Sequence, residues 1–389
     1  MIDPSTSPEA VPQAPPARIY SLAVWGLAAG YFAFYAPYSS LVRAMSRGLV
    51  PGVPTPSSPL VALPAIGLTT AIVATLIVTA LGWWRHGSSR SIGQWRVPWP
   101  GRRMVVAGVA TAAIIYTTTL MFMFAGVSIV LALLIMRGGV LVLAPLMDFA
   151  FGRRVRWFAW TGFALAIVAV ATVASGGKTL QIGWATAATA GLYLLGYVFR
   201  LPAVNTGAKS RDVACNCRYF VDELLVAMAT LVAAPLLLAL LGHTVIAATM
   251  REGLSTFLTT RTVWLAIAIG ALYACLYVFG TLVYLDRREN TFCIALNRGS
   301  SLLAGLVGAA GLAMVASEPW PGMYELAAAS AILCAIVILS PAHHAIERLW
   351  AATPELSPED EPVDGLAMEQ PEAALVAARA MRVGQGSWR

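Results

Sequence analysis

Apolar residues along the chain gather in runs of about twenty, separated by short polar stretches rich in Arg, Pro and Gly. The runs cover 19–42, 60–84, 103–125, 127–147, 157–175, 182–201, 219–241, 262–285, 292–316 and 322–341. An α-helix of about 20 residues crosses a ~30 Å hydrocarbon core. Inside lipid every backbone N–H and C=O must find a partner within the protein, which a helix provides by itself. The pattern therefore predicts an all-α polytopic membrane protein with ten transmembrane helices. The division between the third and fourth spans rests on the small residues Ala125 and Gly126.

Composition agrees with that reading. Hydrophobic residues make up 58% of the 389 and charged residues 12%, about half the charge of a soluble domain. Residues 1–18 are polar and Pro-rich, without the basic and short apolar regions of a signal peptide, so the first span is expected to be retained behind a disordered N-terminus. Residues 342–389 read as a cytoplasmic tail. Its acidic, Pro-rich part, Glu355–Asp364, reads as disordered, and Ala373–Val383 as a short interfacial or partner-binding helix.

The net charge of +7 invites a nucleic-acid reading, but its distribution is topological. Short cytoplasmic loops carry the excess of Lys and Arg. With ten spans, the termini and the loops after spans two, four, six and eight share one side, and that side holds 19 of the 26 basic residues. The other side holds five: Arg43, Arg47, Lys178, Arg251 and Arg261. Both termini are thus expected in the cytoplasm, and no nucleic-acid partner is expected. The 24 arginines against two lysines suggest a GC-rich genome and hence a bacterial inner membrane.

The two remaining basic residues interrupt apolar runs. Arg137 stands in the fourth span before Gly138-Gly139, and Arg298 in the ninth before Gly299, 161 positions later. A cation at mid-membrane costs at least ~2.5–3.5 kcal/mol, so one that persists normally faces a cavity or a partner. Two at matching places in two halves are the pattern of a transporter site between repeats. Five spans per half make the halves inverted: repeat 1 over 19–175 and repeat 2 over 176–341. The same shift carries Tyr116 onto Tyr277.

Two guanidiniums can hold a phosphate or carboxylate through bidentate, charge-assisted bonds. Arg137, Arg298, Asn297, Tyr116 and Tyr277 are the expected substrate-binding residues. The alternative is structural: the arginines cap helix C-termini or bond carbonyls of broken helices, and the tyrosines, like the i, i+4 pairs Tyr193/Tyr197 and Tyr273/Tyr277, pack helices. All acids near the membrane, Asp148, Asp222, Glu223, Asp286, Glu318 and Glu325, read as lying at span ends, which disfavours proton symport and favours exchange.

At the fourth and ninth spans the chain resembles the drug/metabolite transporter superfamily, most of all its nucleotide-sugar and other organophosphate transporters. Their fourth span carries a Lys with an acid 11 positions on, as Arg137 and Asp148 stand here. Their ninth-span motif ends Ala-Leu-Asn-Lys, and here Ala295-Leu296-Asn297-Arg298 is similar with Arg for Lys. Ile294 replaces the Gly that opens that motif, and Tyr219-Phe220-Val221-Asp222 does not match the aromatic-Asn motif of their seventh span. The resemblance covers about 19–341 and implies ten spans in two inverted halves.

The expected function is secondary transport or exchange of a small anionic metabolite by alternating access. The substrate would be a phosphorylated compound, a nucleotide-sugar-like molecule or a carboxylate. The alternatives are an EamA-type permease or exporter of amino acids or other metabolites, and a non-transporting membrane subunit or sensor acting through its tail. A homodimer or a tail-binding protein is the partner left open. No hydrolase triad, P-loop or Rossmann signature is present, so no enzyme activity and no cofactor are expected. Cys215, Cys217, Cys275, Cys293 and Cys334 have neither disulfide nor zinc spacing, and no metal site is expected.

Overall fold

The computed structural model describes residues 17–56, 58–150, 157–175, 183–207, 213–285, 290–316 and 318–339. The N-terminal stretch to residue 16, the Gly152–Arg154 loop, the Gly176–Lys178 loop and the tail after residue 339 lie outside the described residues.

Every one of the ten apolar runs falls on a helix. These are α1 Ala17–Arg47, α2 Leu63–Ala80, α3 Arg102–Met123, the pair α4 Ile129–Leu133 and α5 Gly139–Ala150, α6 Trp157–Ser175, α7 Trp184–Gly207, α8 Val213–Leu241, α10 Val263–Leu285, α11 Asn290–Ala316 and α12 Met323–Leu339. The short amphipathic α9, Val245–Leu254, lies between α8 and α10. Among the described residues six segments are long and apolar enough to cross a bilayer: Leu63–Ala80, Arg102–Met123, Trp184–Val204, Cys215–Leu241, Val263–Leu285 and Leu296–Ala316. The chain is a polytopic, largely α-helical membrane protein.

Local chemistry sets the boundaries. α3 ends at Met123 and α4 begins after Ser128, whose side chain accepts from the Leu131 N–H as an N-cap, so Ala125-Gly126 does separate two helices. Pro64 opens α2 where no intrahelical N–H is needed, and Thr244 caps α9. One departure from an all-α reading lies between α2 and α3. There, β1 Ser89–Ile92 and β2 Trp95–Pro98 form an antiparallel hairpin with Ile92 opposite Trp95. Gly93 takes φ +62° in its two-residue loop, a backbone conformation that glycine adopts without steric cost.

Polar contacts show which helix ends lie together. At one end, Arg43 of α1 donates from Nε to Glu318 beyond α11 (2.9 Å) and from a terminal nitrogen to the Phe124 carbonyl after α3 (2.9 Å). At the same end, Ser128 donates to Glu325 in the first turn of α12 (2.7 Å), and Thr262, before α10, donates to the Pro54 carbonyl (2.7 Å). At the other end, Ser88, after α2, donates through its N–H and its hydroxyl to Asp222 of α8 (2.8 and 2.5 Å). Helices α1, α3, α8 and α11 therefore run one way, and α2, α4–α5, α10 and α12 the other.

Within the bundle α3 packs on α7 and α8, α1 on α10 and α11, α2 on α8 and α10, and α6 on α12. Small residues mark the tight crossings, as is usual where lipid rather than water surrounds helices. A Cβ at Gly108 of α3 would stand 2.5 Å from the Val226 side chain of α8. A Cβ at Gly270 of α10 would stand 2.6 Å from the Ile66 carbonyl of α2.

Candidate functional site

The fourth span is not one regular helix. Between α4 and α5 the backbone widens into a π turn, Leu134–Gly138, and Arg137 sits in it. Such single π turns inside α-helices occur often at functional sites. Arg137 is buried, as is Arg298 of α11, with 3% and 1% of their surface exposed.

Both guanidiniums are held by tyrosines. Tyr31 and Tyr35 stand one turn apart on α1, and Tyr193 and Tyr197 one turn apart on α7, a spacing that puts each pair on one helix face. Arg137 donates to the hydroxyls of Tyr193 (2.8 Å), Tyr35 (3.0 Å) and Tyr31 (3.5 Å). Arg298 donates to the same Tyr193 hydroxyl at 3.2 Å, and its guanidinium lies 4.5 Å from the centre of the Tyr197 ring. One phenolic oxygen thus accepts from both cations, using both of its lone pairs. The Nε of each arginine is buried without an acceptor.

Among the described residues no carboxylate pairs with Arg137 or Arg298, and their hydrogen bonds go to no backbone carbonyl. Among the described contacts neither side chain caps a helix C-terminus. Four helices, α1, the fourth span, α7 and α11, converge on two positive charges that no acid neutralises among the described residues. Cation–π contact and phenolic acceptors offset part of the desolvation cost; an anion between the guanidiniums would offset far more.

The polar cluster continues toward α8. Asn297 accepts from the Tyr284 hydroxyl (3.0 Å), and the Tyr284 ring lies 5.8 Å from the Arg200 guanidinium. Arg200 donates to both oxygens of Glu223 (2.6 and 3.4 Å), and Thr111 donates to Glu223 Oε1 at 2.5 Å. Glu223 has no exposed surface, and Arg200 is also buried. Glu223, read from the sequence as a span-end acid, is thus not exposed there: it is paired with Arg200 and enclosed between α7, α8 and α3.

Of the five predicted site residues, the structure brings Arg137, Arg298 and Asn297 into this cluster. Tyr116 of α3 stands elsewhere, donating to the Leu231 carbonyl of α8 with its hydroxyl against Gly67. Tyr277 of α10 stacks on Phe220, ring centres 6.2 Å apart. Among the described contacts neither reaches an arginine of the cluster. The sequence reading missed Tyr31, Tyr35, Tyr193, Tyr197 and Tyr284 as partners of the arginines. The i, i+4 spacing of the first two pairs was the available signal.

Among the described residues no three His, Cys, Asp or Glu side chains gather as metal ligands. No protein-family model matches the chain, and no curated protein matches it either.

Proposed function

We propose that the chain is a secondary transporter that moves a small organic anion by alternating access, with Arg137 and Arg298 as the two halves of its anion clamp. The observation that carries this reading is the pair of buried guanidiniums sharing the Tyr193 hydroxyl with no carboxylate bound to either among the described residues. Buried charges in folded proteins are normally paired, and the missing partner is most economically the substrate.

Pseudo-symmetry in the packing supports a ten-span inverted repeat. Moving α3 by 161 positions gives 263–284, against the observed α10 at Val263–Leu285, and moving the fourth span gives 290–311, against α11 at Asn290–Ala316. Exchanging the halves turns the pair α3/α7 into α10/α1 and the pair α3/α8 into α10/α2, and all four pairings occur. The tight glycines Gly108 and Gly270 fall at equivalent crossings, one position apart under the same shift. This arrangement is what the resemblance to drug/metabolite transporters implies, and we infer membership in that superfamily, without enzymatic activity. On this reading the excess of arginines on one side of the spans supports termini in the cytoplasm of an inner-membrane protein.

The test is binding to the purified protein. Melting of the wild-type chain should rise with phosphorylated or dicarboxylic metabolites and not with neutral sugars or amines. Arg137→Ala or Arg298→Ala should weaken that binding roughly ten- to a hundred-fold, the ~1.5–3 kcal/mol of a charged hydrogen bond. Variants that still insert and fold yet bind anions as the wild type does would sink the clamp.

A second reading, proton coupling, is favoured by the buried Glu223, which is linked through Arg200 and then Tyr284 to Asn297, the neighbour of Arg298 in the chain. Under that reading Glu223→Gln abolishes uptake driven by a pH gradient. Under simple anion exchange the same variant leaves counterflow intact.

A further inference from the structure

The connector between α2 and α3 carries a site that the transport reading does not use. From Arg85 to Arg103 it holds five arginines, two tryptophans and no acid. The 3-10 turn Trp83–His86 and the second turn of α8 wall a cleft of about 420 Å³, lined by Arg85, His86, Gly87, Ser88, Ser89 and Arg218. Arg85 and Arg218 are both exposed, and they come from different elements, so the chain is folded back to bring two like charges to one cleft. His86 Nε2 accepts from Arg85 Nε at 3.3 Å, which orients that guanidinium. Asp222 is buried, and its two oxygens are taken by the N–H and hydroxyl of Ser88. It fixes the floor of the cleft and is not among the residues that line it.

Two guanidiniums with the Ser89 hydroxyl beside them are a phosphate-binding set. The source of the phosphate is indicated by the rim. α2 and α3 are both membrane-crossing by length and composition, so the segment joining them lies at the height of the headgroups. The hairpin there exposes Trp95 and Trp99 (70% and 54%) together with Val97, and Arg90 lies 5.7 Å from the centre of the Trp99 ring. Tryptophan beside arginine at a span end is the signature of residues that sit at the membrane–water boundary. A soluble anion needs no such apolar rim; a phosphate attached to acyl chains does.

We propose that this cleft binds the phosphate headgroup of an anionic phospholipid of the surrounding leaflet, with Arg85 and Arg218 holding the phosphate and Trp95 and Trp99 seated among the headgroups. The lipid ties the α2–α3 connector to α8, the same two elements that the Ser88–Asp222 bonds join.

The full chain, delipidated in detergent, is titrated with phosphatidylglycerol and with phosphatidylcholine and followed by native mass spectrometry and thermal melting. The wild type should retain phosphatidylglycerol in preference to phosphatidylcholine. Arg85→Gln combined with Arg218→Gln should weaken phosphatidylglycerol binding on the order of thirty-fold while leaving phosphatidylcholine binding and its melting point unchanged. If the double variant cannot be purified, Ser89→Asp, an acid on the exposed rim that alters neither arginine, carries the same expectation. Equal retention of the two lipids, or variants that bind phosphatidylglycerol as the wild type does, would overturn the site. Displacement of phosphatidylglycerol by millimolar inorganic phosphate would overturn it too, by assigning the cleft to soluble anions.

Discussion

Tyr193 is the residue on which the central cluster turns, because a single oxygen accepts from two cations that pair with no carboxylate among the described residues. Tyr193→Phe keeps the ring and removes that acceptor, so it should destabilise the ligand-free protein by about 1.5–3 kcal/mol, seen as a lower melting point than wild type. An unchanged melting point would mean that the hydroxyl carries little of the arginines' charge. Arg200 and Glu223 behave differently, since each neutralises the other. Removing one partner of a buried ion pair costs ~3–5 kcal/mol, whereas replacing both by apolar residues is often near neutral. Arg200→Met should therefore destabilise strongly, and adding Glu223→Leu should restore much of the loss in the same melting assay. The sequence made Arg137 and Arg298 legible because a cation inside an apolar run has no ordinary explanation. Arg200 and Glu223 were not legible. They stand near the ends of runs, and only the packing of α3 against α7 and α8 reveals that those ends are enclosed. The tyrosines were visible as helix-face pairs, but an aromatic face reads the same whether it meets leucines or guanidiniums.

At the scale of elements the helices were largely legible, since each apolar run falls on one, and their polar extensions were not. α8 begins at Val213, six residues before the apolar run at 219. The helix therefore carries Asp222 and Glu223 two to three turns inside itself, where sequence alone puts them at a mouth. The hairpin Ser89–Pro98 was read as loop because four-residue strands bearing serine and arginine lack a run of alternating apolar residues. The π turn at Arg137 leaves no pattern at all in a uniformly apolar stretch. The structure separates the glycines of α11 by role. A Cβ on Gly308 would lie 2.8 and 2.9 Å from the hydroxyls of Ser40 and Ser39 and 3.0 Å from the Ala36 carbonyl of α1, while one on Gly311 meets nothing within 4 Å. Gly308→Ala should cost about 1–3 kcal/mol through the strain of overpacking. Gly311→Ala should be neutral or slightly stabilising, as alanine is the better helix former. Equal melting of the two variants would contradict the tight α1–α11 crossing.

For the whole molecule, the alternating helix directions put the connector after α1 and the connector after α2 at opposite ends of the bundle. Single cysteines at the exposed positions Thr55 and Gln94, in a background without the native five, should accordingly be labelled from opposite sides of sealed vesicles, and labelling from one side would refute the arrangement. On the proposed reading, two inverted halves give two states of similar energy, each half taking the shape of the other, with the site opening to either side in turn. The charges then dictate the kinetics. Arg200 already has Glu223, but among the described residues the partners of Arg137 and Arg298 are tyrosine hydroxyls and ring faces. An empty carrier would have to carry two uncompensated cations through an occluded state of low dielectric, where the cost of unpaired charge is greatest. A bound anion removes that cost, so the loaded carrier should reorient much faster than the empty one. In liposomes preloaded with a labelled anionic substrate, efflux should be fast with unlabelled substrate outside and at least tenfold slower without it. Equal rates would show that the empty carrier returns freely. Accumulation driven by a pH gradient, lost in Glu223→Gln, would move the coupling from the arginines to the buried carboxylate.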